Sequence, residues 1–349
     1  MNGAVLQKDV SITELKDSLK EYSGLMAKLN SMPKVSKKSL KVGKKDISQK
    51  GKEEVRIYFG EKINKAFNTE IFEDVSKMIR LTHESYEKFK RVLELGESTH
   101  CWITRQALNL VNVNPALSAL LLEYCKYPDD PKSDMQDLIF EGHFYGETNT
   151  GAWGNFIENL PTAAVLVLEG LKKARNGLDE DIHEHALENF ATNYDLAMSV
   201  NRNAGSLGIA AHYLQDLTAP HHVGNYPAVP YVDHYFFEKY ANLYVYGSPQ
   251  FVLTKSEYDT FKGSLNTDLS KPEAFATEIY NRAKAFVPFI ETDLHAETAG
   301  TNKYSLMVDS EIDKYNRNLT IGSRQWKEAV DKAIPLAVYA TAYLFENGL

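Results

Sequence analysis

The chain of 349 residues lacks any run of about 18 apolar residues, so no transmembrane helix is expected. Its opening, MNGAVLQKDVSITELKD, lacks the basic-then-apolar pattern of a signal peptide. Either a cytoplasmic protein or one whose signal has been removed is expected. No nucleotide-binding glycine motif, internal repeat or repeated strand alternation occurs. Only two cysteines are present, Cys101 and Cys125. They could pair once, but buried thiols are the default expectation. Structural zinc sites are usually closed and cysteine-rich, so this composition argues against one.

What is present is ordinary for a globular protein: 43% hydrophobic residues and 25% charged ones, enough for a sizeable core. Charge is uneven. Residues 1–56 carry a net +6 and the remainder a net −14. A basic arm beside an acidic body could bind that body, an anionic membrane, or nothing. An acidic body is poorly suited to nucleic acid.

The chain is organised around residues 204–240. His212 and Asp216 stand four apart in a helical run closed by Pro220, and His234 and Glu238 repeat the spacing on a second run. Residues i and i+4 share a helix face, so each pair aims two side chains at one point. His222 lies ten beyond His212, which puts three imidazoles and two carboxylates within 27 residues. Neutral imidazole with carboxylate is a ligand set that zinc accepts. One such pair would be read as solvated; two pairs joined by a third His point to a metal. Gly205, Gly208, Ala210 and Ala211 permit close helix packing that would bury the His212–Asp216 face.

Elsewhere the periodicity predicts helices. An amphipathic one spans 11–30, with Ile12, Leu15, Leu19, Tyr22, Met26 and Leu29 as its stripe and Ser11 with Glu14 as a capping box. A Lys-rich connector over 31–54 follows, then helices within 55–95. Further helices are expected at 97–112, 115–126, 156–176, 179–200, 271–291, 304–316 and 322–347, and an aromatic, turn-rich stretch after Tyr240. His183 and His185 cannot share a helix face and read as surface residues. The expected architecture is all-α: a multi-helix bundle over 96–349 behind a helical N-terminal extension over 1–95.

Several segments, taken in order, resemble the zinc-dependent phospholipase C family, which includes the catalytic domains of clostridial alpha-toxins. THCWITRQAL resembles its His-Leu-Trp-Ile helix. YPDD, with HFY starting fourteen residues after its first Asp, resembles the loop supplying an Asp and a His. HYLQDLTAPHH resembles His-Tyr-Leu-Gly-Asp with a second His ten on, and HYFFEKY the closing His-x-x-x-Glu helix. The resemblance covers roughly 97–349. It implies one zinc held by Asp129, His143, His212 and Asp216, and a second held by His222, His234 and Glu238. It implies a third at His100 and a bridging Asp216. In the family an N-terminal Trp completes that third site, and no Trp occurs at 84–97 here. A side chain such as Glu87, Glu94 or Glu97 could replace it, cleavage could form it, or its occupancy is weak.

The resemblance further implies phospholipid hydrolysis by zinc-activated water to diacylglycerol and a phosphorylated headgroup, with Asp129 orienting or deprotonating that water. Phe140 matches the aromatic wall of the headgroup pocket. Asp130 and Lys90 replace its Tyr and its acid, which leaves choline, ethanolamine and serine open. Asp137 and Glu141 are candidates to orient imidazoles, or are solvated. No counterpart of the toxins' C-terminal β-sandwich is expected within these residues, since the helical pattern runs to Leu349. A secreted bacterial monomer with peripheral membrane contact and no nucleic-acid partner is expected. Two other readings stand beside this one: a zinc-dependent single-strand nuclease, and a zymogen whose basic extension covers the cleft until cut within 31–54.

Overall fold

The computed structural model describes residues 21, 24, 25, 28, 77, 80, 81, 97–129, 141–145, 186–199, 203–226, 233–247, 251, 253–291 and 323–349. Among them the chain is helical with no strand. The helices are α1 (Thr99–Val111), α2 (Pro115–Tyr124), α3 (Ala186–Met198), α4 (Ala204–Asp216), the single turn α5 (Pro220–Val223), α6 (Asp233–Gly247), α7 (Lys255–Gly263), α8 (Pro272–Lys284) and α9 (Ser323–Gly348). Short 3₁₀ turns occur at Tyr127–Asp129, Glu141–His143 and Val287–Phe289. The all-α expectation holds.

The helix ends follow local chemistry. Ser98 caps α1 by accepting from the Cys101 N–H, and Asn112 ends it in the left-handed region at φ 52°, which asparagine tolerates. Asn114 caps α2, with Pro115 in the first turn, where no N–H is required. Asn203 caps α4, accepting from Gly205 and Ser206.

Helix α4 is the hub. It packs against α2, α3 and α9, and every residue from Leu207 to Asp216 is buried. A helix enclosed on all sides needs small residues where neighbours come closest. A Cβ on Gly208 would lie 2.8 Å from the Tyr124 Cβ and 3.1 Å from the Leu121 carbonyl oxygen. The expected close packing is therefore present, and it buries the His212–Asp216 face. Leu207 and Leu214 are fully enclosed, each worth about 1.5–3 kcal/mol of burial. Helix α9 lies along α1 and α4 and closes the bundle with Trp326, Val338 and Phe345.

Two segments differ from the sequence-based expectation. The aromatic stretch after Tyr240 continues α6 to Gly247 instead of turning. Ala241 and Val245 face the core, and Tyr240 stacks on Tyr244 one turn later. Helix α7 was not anticipated, although Thr254 and Glu257 form a complete capping box ahead of buried Tyr258 and Phe261. Cys101 and Cys125 are both buried free thiols.

The described residues of the extension are helical. Leu25 and Leu81 are buried, and the Lys77 ammonium pairs with the Glu21 carboxylate. The 31–54 connector and the helices expected at 156–176 and 304–316 lie outside the described residues, as do His183 and His185.

Candidate metal centre

Six elements deliver eight side chains to one place. His100 comes from the first turn of α1, and Asp129 from the turn after α2. His143 ends its own 3₁₀ turn, and His212 and Asp216 come from the last turn and a half of α4. His222 sits on α5, and His234 and Glu238 on α6. Potential ligand atoms within 4.8 Å of one another form three groups: His100, Asp129 and His212; His143, His212 and Asp216; His222, His234 and Glu238.

The outer ring nitrogens are already committed. His212 Nδ1 donates to the Cys125 carbonyl at 2.8 Å, His222 Nδ1 to the His143 carbonyl at 2.8 Å, and His234 Nδ1 to the Tyr226 carbonyl at 2.7 Å. A carbonyl only accepts, so each of these rings carries its proton on Nδ1 and turns a bare Nε2 inward. This is how metal-ligating histidines are usually oriented. His143 is set by its loop. Asn189 donates to the Gly142 carbonyl at 3.1 Å, Ala186 N–H to the Phe144 carbonyl at 3.1 Å, and Tyr145 N–H to the His222 carbonyl at 3.3 Å.

Inside this ring the donors crowd. Asp216 Oδ2 lies 2.9 Å from His143 Nδ1 and 3.3 Å from His212 Nε2. Among the described residues Asp216 Oδ1 has no hydrogen-bond partner, yet it lies 3.5 Å from His100 Nε2 and 3.6 Å from His222 Nδ1. Asp129 Oδ1 is 3.8 Å from His212 Nε2. Glu238 Oε1 is 2.9 Å from His234 Nε2 and 3.8 Å from His222 Nε2. Tetrahedral zinc with bonds of about 2.0–2.2 Å holds its donors roughly 3.3–3.6 Å apart, within the spread seen here. A buried carboxylate oxygen without a hydrogen bond is costly unless a cation answers it. The donor set fits zinc on both counts.

The electrostatics agree. Burial would push Asp216 up, but the imidazoles of His212, His222 and His143 outweigh it and hold its carboxyl well below the usual range. Glu238 behaves alike: burial opposes, His234 and His222 prevail, and its carboxyl lies far below normal. For His100, burial and the neighbouring His212 hold the imidazole below its ordinary value, against Asp216 and Asp129. Ionised acids and a neutral His100 are protonation states that metal binding requires.

All eight residues singled out from the sequence as ligands thus come together. Glu97 does not join them: its carboxylate is bound by Arg105 and by the Tyr246 hydroxyl, with a side chain 43% exposed. Glu87, Glu94, Phe140, Asp130, Lys90 and Asp137 lie outside the described residues, as does the side chain of Glu141. Sequence reasoning missed the supporting groups: the carbonyls of Cys125, His143 and Tyr226, the amide of Asn189, and Gln215. A carbonyl carries no residue-type signal, so no pattern could have found the first three.

The fold and site define an all-α protein built round an imidazole–carboxylate metal centre. The family model described as zinc dependent phospholipase C matches residues 99–287, more than half of the chain and all eight of these residues. The chain belongs to that family. No curated protein and no solved structure matches it.

Proposed function

We propose that the chain hydrolyses a phospholipid phosphodiester with water as nucleophile, giving diacylglycerol and a phosphorylated headgroup. The observation that carries this reading is the convergence of His100, Asp129, His143, His212, Asp216, His222, His234 and Glu238 inside the family-matched segment. Bound zinc supplies a Lewis acid for the phosphoryl oxygens and lowers the pKa of bound water to about 7.

The residues hold two tasks. His143, His212 and Asp216 form the deep side, and His222, His234 and Glu238 the outer side. His100 adds its Nε2 at the Asp216 Oδ1 edge, where a third ion would sit. Asp129 serves the water. Its side chain is 26% exposed where Asp216 is 1% exposed, so it is the acid of the deep side that solvent reaches. It orients the attacking water and accepts its proton. The new bond forms from that oxygen to phosphorus, the bond to the glycerol oxygen breaks, and the proton passes to the leaving oxygen. No serine or cysteine nucleophile is required.

The substrate is met at a membrane surface by a secreted bacterial monomer in peripheral contact. Among the described residues no helix is long and apolar enough to cross a membrane. Zinc-loaded protein should release phosphorylated headgroup from a panel of short-chain choline, ethanolamine and serine phospholipids, and leave single-stranded DNA intact. Cleaved DNA with intact lipid would move the chain to the nuclease reading. Asp129→Asn should lower turnover by orders of magnitude with helicity kept; near-normal turnover would retire the assignment.

A further inference from the structure

We infer that Gln215 is a positioning residue: its buried side-chain amide, held by α1 and α9, fixes His100 with a bare Nε2 facing Asp216 and so makes α9 part of the metal centre's frame. The inference rests on the metal-centre reading above.

Gln215 precedes Asp216 on α4 and is 2% exposed. Its Oε1 lies 2.8 Å from His100 Nδ1. Its Nε2 lies 3.0 Å from Thr104 Oγ1, on α1, and 3.4 Å from Thr341 Oγ1, on α9; both threonines are fully buried. An amide can be turned end for end, and a hydroxyl can either donate or accept, so the direction needs a further constraint. The two threonines supply it. The two NH₂ hydrogens meet Thr104 Oγ1 and Thr341 Oγ1 one for one, which leaves Oε1 as the end that faces His100.

An amide oxygen has no proton to give. His100 therefore keeps its hydrogen on Nδ1 and presents a bare Nε2, 3.5 Å from Asp216 Oδ1, with its ring stacked 4.1 Å from that of His212. For His212, His222 and His234 a backbone carbonyl does this work; for His100 a side chain does. The network recruits Thr341, which lies beyond the family-matched residues 99–287.

The test uses metal-free, full-length protein with ¹⁵N-labelled histidine. Long-range ¹H–¹⁵N spectra should place the His100 proton on Nδ1 in the wild type. Gln215→Leu should convert that ring to a tautomer mixture, whereas Gln215→Glu, whose carboxylate still accepts, should preserve it. In zinc titrations Gln215→Leu should weaken one ion by about 10–100-fold, with Gln215→Glu near wild type. Thr341→Val should shift both readouts the same way by less, and it decides the matter if Gln215→Leu does not fold. A wild-type His100 protonated on Nε2, or unchanged tautomer and affinity in the leucine and valine variants, would overturn the inference. Absence of zinc binding by the wild type would instead sink the metal reading, and the tautomer would still decide the role of Gln215.

Discussion

On the α4 side of the centre, His212 and Asp216 are sealed at 0% and 1% exposure, and the helix that carries them is wrapped by α2, α3 and α9. On the α6 side, Glu238 keeps 36% of its side chain exposed and His222 13%. The first side is held by packing: a glycine at 208, buried leucines, and a network reaching Thr104 and Thr341. The second is held mainly by main-chain carbonyls on short segments, with α5 only one turn long. Rigidity on one side and solvent access on the other is what an exchangeable, reactive metal site needs.

The contrast can be broken first at Asp216. Its replacement by Asn removes the buried acid set against His143 and His212, and the loss of several kcal/mol of transition-state stabilisation should cost about 1000-fold or more in phospholipid turnover. Zinc analysis of the same sample should show fewer ions than wild type; full zinc and turnover would mean that Asp216 is no ligand. Chelation should act next. Zinc at 1000 times its Kd stabilises by about 4 kcal/mol, so its removal should lower the calorimetric Tm by several degrees. Hydrogen exchange should then rise at α5 and α6 before α4. Equal rises would erase the distinction drawn between the sides.

Glu238→Gln probes the open side alone. One ion should be held about 10–100-fold more weakly, as read by competitive zinc titration. The smallest effect is expected at Glu278, which is not among the eight residues of the centre. Burial pushes that carboxyl up, but Thr267, Arg282 and the Asn266 N–H outweigh it and hold it below its ordinary value. A depressed carboxyl stabilises fully above its unfolded value of about 4.3, and that stabilisation is lost as pH falls through the folded value. Glu278→Gln should therefore cost about 1–2 kcal/mol at pH 7 and almost nothing in strong acid, with turnover unchanged.

Helix α1 was legible to within two residues, and the metal helix α4 as a run closed before Pro220, because apolar period and capping residues coincide there. The i,i+4 pairs His212–Asp216 and His234–Glu238 were legible for the same reason: one helix turn sets their direction. Helix α7 was signalled by its capping box but lacked a long apolar run to draw attention. The extra turns of α6 were hidden by a stretch rich in tyrosine and ending in glycine. Glu97 looked available from its position beside His100; only the fold brings Arg105 and Tyr246 to claim it. Gln215 stands where the resembled motif has a glycine, so in sequence it reads as a mismatch, and its partners lie 111 and 126 residues away.

By itself the sequence determined the helical class and the residue types that could gather at a metal, since both follow from local spacing along one chain. Only the tertiary structure decided how the imidazoles are held and which acids are free to join them. Those choices depend on carbonyls, amides and charges supplied by distant segments, whose proximity is a consequence of packing.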